Sequence, residues 1–209
     1  MNVRPIAPAR LVEELVDRLA DARPDRWLRV AVDGAPAAAP DRLADALVDP
    51  LRTRGRPALR VAAGDFLRPA SLRYEQGRTN PDSFYWGWLD EAGLRREVLD
   101  PTGADGTGRV LPSLWNAATD RASRADYVTL PPGGVVIVSG GLLLGGGLPF
   151  DLSVHLVLSA AALARRTGDD EAWTLPAYAR YADEVAPESF ADVVVRMDDP
   201  RHPALVEST

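Results

Sequence analysis

The sequence predicts an α/β fold: a mostly parallel sheet with helices on both faces. Three observations carry that prediction. Short apolar runs recur between amphipathic segments along the 209 residues. The central runs, Val135-Val136-Ile137-Val138 and Leu152-Ser153-Val154-His155-Leu156-Val157-Leu158, are almost continuously apolar, as strands buried on both faces require. Two of the runs end in Asp33-Gly34 and Gly64-Asp65, the punctuation of strands that turn into loops or helices.

In chain order, residues 8–22 place Leu11, Val12, Leu15, Val16 and Leu19 at helical spacing, with acids and arginines between them. A helix is expected there, with residues 1–25 preceding the core of one domain that spans 1–209. Trp27 to Val32 reads as a buried strand. Residues 41–53 read as a second helix, its inner face Leu43, Ala44, Leu47, Val48 and Leu51; Pro40 suits its first turn and Asp41 its cap. Residues 58–63 form the next strand. The stretch 67–88, rich in Arg, Tyr, Trp, Gly and Pro, reads as irregular, 89–99 as helix and 100–113 as loop. Weaker strands are expected at 109–115 and 126–130. After the two central runs come helices over 159–167 and 172–184 and a last strand, Ala191-Asp192-Val193-Val194-Val195. The glycines at 140–141 and 145–147 bracket a turn.

Composition narrows function. Net charge is −6 and no basic block occurs, so nucleic acid is not expected as a partner. No stretch reaches the roughly 20 apolar residues that span a bilayer, and Met1-Asn2-Val3-Arg4-Pro5 carries no apolar run, so the expected location is cytoplasmic. With no cysteine there is neither disulfide nor thiol nucleophile. His155 and His202 stand without acids at metal-site spacing, so no metal site is expected. All 24 Lys+Arg residues are arginine.

Val32-Asp33-Gly34, Asp65-Phe66-Leu67-Arg68-Pro69, Arg73-Tyr74 through Gly77-Arg78, Phe84-Tyr85, Asp90, Leu94-Arg95-Arg96, Leu99-Asp100-Pro101, Thr119-Asp120-Arg121, Pro131-Pro132-Gly133 and Asp199-Pro200 follow one another in an order that resembles the uridine kinase-like P-loop kinases. The resemblance runs from about Arg29 to Pro200. It implies a P-loop NTPase-like parallel sheet and transfer of the ATP γ-phosphate to a nucleoside hydroxyl or similar alcohol, which rests on positioning and charge stabilisation.

The parts that this chemistry needs are altered. In G-x-x-x-x-G-K-[ST], backbone N–H groups and a lysine hold the phosphates. Here Gly34 is kept, Ala39 replaces the second glycine, Pro40 the lysine and Asp41 the Ser/Thr. Pro40 lacks an N–H and Asp41 brings negative charge to a helix N-terminus that favours anions. Arg42 and Arg68 are candidate substitute cations. Gly64 stands where the resemblance implies a catalytic acid, with Asp65 one residue later as a weak candidate. Ser139-Gly140 replaces the expected Asp-Gly, and serine is a poor Mg²⁺ partner. Arg165 and Arg166 fall in the lid region without the family's spacing. The acceptor pocket has turned apolar: the ligand-cleft candidates are Asp33, Phe66, Tyr74, Tyr85, Trp86, Trp88, Asp90 and Trp115.

Three readings follow. The first is a pseudokinase with a degenerate phosphate loop, needing neither ATP nor Mg²⁺ and serving an unidentified small molecule or protein partner. The second is an active nucleoside or small-molecule kinase, or another transferase, with relocated catalytic residues and Mg-ATP. The third is a module that self-associates, as a homodimer for instance, through residues 86–89.

Overall fold

A computed structural model describes residues 2–207; Met1, Ser208 and Thr209 lie outside the described residues. The chain runs β1 (Asn2–Pro5), α1 (Pro8–Asp21), β2 (Leu28–Asp33), α2 (Pro40–Thr53), β3 (Ala58–Ala62), then three short helices α3 (Ala70–Arg73), α4 (Pro81–Gly87) and α5 (Glu91–Leu94). Four two-residue strands follow, β4 (Arg109–Val110), β5 (Trp115–Asn116), β6 (Arg121–Ala122) and β7 (Val128–Thr129). The second half holds β8 (Val135–Gly140), β9 (Leu152–Val157), α6 (Ala160–Arg166), α7 (Leu175–Glu184), β10 (Val193–Arg196) and β11 (Ala204–Glu207).

Seven strands form one sheet in the order β1-β11-β10-β9-β2-β8-β3. The five strands from β10 to β3 are parallel. β2 is central, pairing Val30 with Ile137 on one side and with Leu152 on the other. Successive side chains of a strand face opposite sides, and the packing follows that period. Val30, Val32, Val135, Ile137, Val154 and Leu156 pack under α1 and α2, against Leu15, Leu19, Leu43, Leu47 and Leu51. Val61, Val136 and Val138 face the other way, onto Phe66, Leu94, Val98, Leu99 and Leu143. Both faces are covered, which is why the strands read as unbroken apolar runs.

Several expectations are corrected. Residues 67–88 are not irregular throughout: Asn80 caps α4 by accepting from Ser83 N at 2.9 Å, and α3 precedes it. The helix expected over 89–99 is divided. Asp90 caps the four-residue α5, and Arg95–Leu99 continues as a wider turn in which Asp100 N reaches Arg95 O at 2.8 Å. The strands at 109–115 and 126–130 shrink to the pair β4–β7. Strand Ala191–Val195 is not the last; β11 returns antiparallel on β10, and β1 pairs antiparallel with β11. The N-terminal segment thus supplies a sheet strand as well as α1, whose Leu11, Leu15, Val16 and Leu19 are buried. Among the described residues no helix is long and apolar enough to cross a membrane.

Candidate functional site

The parallel strands open a crevice at their C-terminal ends, where open α/β sheets bind ligands. The loop after β2 forms its floor. Gly34 N donates to Gly140 O at 2.9 Å, and a Cβ at Gly34 would lie 2.9 Å from the Leu156 carbonyl oxygen, so glycine is required there by close approach. Pro36–Ala38 then folds into a tight 3₁₀ turn. Ala38 N donates to Ala35 O at 2.8 Å and Ala39 N to Pro36 O at 2.9 Å, so both N–H groups are taken up inside the loop. Ala39 is left-handed, at φ 58° and ψ 52°, and Pro40 is the first residue of α2.

Asp41 does not cap α2, contrary to expectation: the N-cap position is Ala39 and has no side-chain hydrogen bond. The Asp41 carboxylate instead accepts from Ser139 Oγ at 2.7 Å and pairs with an Arg60 guanidinium nitrogen at 2.7 Å. Arg60 Nε donates to Ser139 Oγ at 3.0 Å, closing a three-residue network, and lies 3.6 Å from Asp45. Arg60 was not among the residues singled out from sequence. It was legible, since an arginine in Ala58-Leu59-Arg60-Val61-Ala62 interrupts an apolar strand and needs an anion.

Beside this network lies a cleft of about 330 Å³, walled by Leu67, Phe84, Tyr85, Trp86, Trp88, Leu89, Glu91 and Tyr178, with Asp41, Gly64 and Ser139 at its base. Of the sequence candidates, Gly34, Ala39, Pro40, Asp41, Tyr85, Trp86 and Trp88 meet there. The others do not line it. Phe66 is fully buried in the core. Tyr74 packs edge-on to Trp88 at 5.6 Å. Asp90 Oδ1 accepts from Gly93 N at 2.9 Å. Trp115 sits in the small β5–β6 hairpin and donates to Asp120 at 3.1 Å. Arg42, Arg68 and Arg165 are exposed and outside the lining. Asp65 also lies outside it; burial pushes its carboxyl up, with Arg60 opposing and Asp41 adding to the shift.

Glu91 and Tyr178 were missed from sequence. Burial raises the Glu91 carboxyl, opposed by the Arg68 charge. Burial, with Asp33 and Glu171, holds the Tyr178 hydroxyl far above its ordinary value. Trp88 is half-buried among rings, 5.2 Å from Phe84 and 5.4 Å from Trp173, and its Nε1 donates to Arg73 O at 3.1 Å. Trp86 is 67% exposed.

Asp33 has a structural place beneath the loop. It is fully buried, accepts from Leu143 N at 2.9 Å and Tyr181 Oη at 3.1 Å, and pairs with His155 Nδ1 at 2.7 Å. His155 is therefore not an isolated histidine; it faces Asp33 in register across β2 and β9. His202 likewise has an acid, Asp199, at 2.9 Å. Among the described residues no group of three or more His, Cys, Asp or Glu is placed to hold a metal ion.

No protein-family profile matches the chain, and no curated protein matches it. Solved structures do. A protein described as a "Possible Uridine Kinase" from Bacillus stearothermophilus superposes with a TM-score of 0.72 at 18% identity, covering 89% of this chain and 97% of the other. A protein assigned as a fructose transport system kinase from Silicibacter sp. TM1040 gives 0.59 at 24% identity, covering 90% and 98%. The YGR205w protein gives 0.59 at 12% identity, covering 95% and 97%. The chain has the fold of uridine kinase-like and related P-loop kinases, as its sequence resemblance implies.

Proposed function

We propose that this chain is a uridine kinase-like P-loop protein that no longer transfers phosphate from ATP and serves as a ligand-binding or regulatory protein. The observation that carries the reading is the Arg60–Asp41–Ser139 network. The N-terminus of a long helix attracts anions through its free N–H groups and dipole. Here the first turn of α2 already holds the Asp41 carboxylate, paired with Arg60. A phosphate entering beside it meets a fixed negative charge; at ~4 Å and an effective dielectric of ~20, each unit-charge repulsion is on the order of 4 kcal/mol before Arg60 offsets part of it. The loop offers little in return. Pro36 and Pro40 lack N–H groups, Ala38 and Ala39 use theirs internally, and no lysine is available.

The cations considered as replacements, Arg42, Arg68 and Arg165, do not line the cleft, and Arg60 is committed to Asp41. Calorimetric titration with Mg-ATP, and with ADP alone, tests the reading. The expected result is no binding tighter than about 1 mM, which corresponds to roughly 4 kcal/mol. Tighter binding overturns it and turns attention to phosphotransfer onto nucleosides and small alcohols.

A further inference from the structure

The charged side chains that line the cleft carry one sign. Two carboxylates, Asp41 and Glu91, line it, and no arginine or histidine does. Asp41 is balanced by Arg60 at 2.7 Å. Among the described residues Glu91 forms no such ion pair; Arg68 acts on it through space, and burial raises its carboxyl. The walls beside it are aromatic, from Tyr85, Trp86, Trp88 and Tyr178. Ring faces carry negative potential and attract cations, most strongly when those cations are partly desolvated.

The same rings already receive cations from outside the cleft. The Arg180 guanidinium lies 5.0 Å from the Tyr85 ring centroid and 5.2 Å from that of Trp86, while Arg73 lies 5.1 Å from Trp88. Arg180 is itself held by Glu184 at 2.7 Å and Asp82 at 3.1 Å, so it adds no free positive charge to the rim. Trp86, two-thirds exposed, leaves a large ring surface for a ligand to cover.

We propose that the cleft binds a compact organic cation, an amine or quaternary ammonium with an aromatic or apolar body, its charge set between Glu91 and the Tyr85–Trp86–Trp88 rings. The proposal rests on the preceding reading, because a cleft that held phosphates at α2 would need the opposite charge. Volume agrees: about 330 Å³ is at the lower end of small-molecule sites.

The test compares three probes of similar size: benzyltrimethylammonium, benzyl alcohol and phenyl phosphate. Binding is followed by tryptophan fluorescence and by NMR shifts of the tryptophan indole protons. The expected result is saturable binding of the cation, at least tenfold tighter than the alcohol, with phenyl phosphate weakest. Glu91→Gln removes most of the tenfold preference while leaving the apolar contribution. Trp86→Ala, at an exposed position, removes one of the rings and weakens the cation more than the alcohol, and serves if the first variant does not fold. Equal binding of the three probes, or a preference that survives Glu91→Gln, overturns the proposal. Mg-ATP is titrated into the same samples. Silence towards both Mg-ATP and the cation overturns the cation proposal alone; binding of Mg-ATP overturns the pseudokinase reading on which it rests.

Discussion

Ala39 keeps a glycine's backbone without being glycine. Its φ of 58° and ψ of 52° place it in the left-handed region, where a Cβ costs roughly 1 kcal/mol or more relative to glycine. The turn is maintained because β2 and α2 on either side are anchored, through Gly34 against Leu156 and Leu43 and Leu47 in the core. Ala39→Gly should therefore stabilise the protein by about 1 kcal/mol, less the entropy glycine adds to the unfolded chain. In a domain of this size the full ~1 kcal/mol would raise Tm by roughly 2–4 °C, and the unfolded-chain entropy of about 0.4–1 kcal/mol cuts the net rise to about 2 °C or less, measurable by calorimetry. A lower Tm would mean that the strain is relieved elsewhere. The substitution alone should leave Mg-ATP binding unchanged, because Pro40 and Asp41 remain. Sequence exposed the missing glycine but not the retained backbone, since φ at position 39 is set by its anchored neighbours. Trp88 teaches the same lesson. Its surroundings decide between a docking surface and a packed ring, and the ring cluster with Phe84 and Trp173 assigns it to packing, which leaves Trp86 as the exposed one.

At the level of elements, legibility followed burial. β2, β8 and β9 are apolar on both faces, so composition alone marks them. β1 and β11 are four-residue strands that carry polar residues and exist because β11 pairs on β10 and β1 on β11, a tertiary cause that no local pattern announces. The start of β2 shows another such cause. Asp151, just before β9, accepts from Arg29 N at 3.0 Å, Arg29 Nε at 2.9 Å and a terminal guanidinium nitrogen at 2.9 Å, and also pairs with Arg23. Its side chain is 5% exposed. Burial pushes this carboxyl up, but the Arg29 bonds and the Arg23 charge outweigh it, and the net position is below the usual carboxylate range. A depressed folded-state pKa contributes stability above the unfolded value of about 3.9 and loses it as pH falls through the folded one. Asp151→Asn should cost about 3 kcal/mol at pH 7, because it strands Arg29 half-buried without its anion. Its denaturation midpoint should also vary less than wild type's below pH 4. A variant with wild-type acid sensitivity would show that other carboxylates govern that limb.

The whole molecule presents a P-loop kinase scaffold around the candidate site, and the two were unequally legible. The scaffold was read from periodicity and motif order. The site was read as losses at Ala39, Pro40, Asp41 and Ser139; the cation that meets Asp41 and Ser139 comes from a different strand, as Arg60, and spacing along the chain does not reveal which residues meet across a sheet. If those losses are what silences the loop, reversing them together should restore nucleotide binding. Ala39→Gly and Pro40→Lys return the flexible turn, one N–H and the cation, and Asp41→Ser removes the carboxylate from the first turn of α2. Asp41→Ser alone would leave Arg60 its Ser139 bond and Asp45 at 3.6 Å, so Ser139→Asp is added to give it a new anion from β8, at the position where the family resemblance implies an acid that orders Mg²⁺. Gly64→Asp completes the set; a Cβ at Gly64 meets nothing within 4 Å, and its side chain would open into the cleft. The five-fold variant should bind Mg-ATP tighter than about 1 mM by calorimetry, a binding free energy of at least about 4 kcal/mol. The variant lacking only Pro40→Lys should fall back by tenfold or more, since the lysine supplies the charge that the β- and γ-phosphates need. A five-fold variant that folds with wild-type Tm and still ignores Mg-ATP would place the block in the reshaped cleft and lid rather than in the loop.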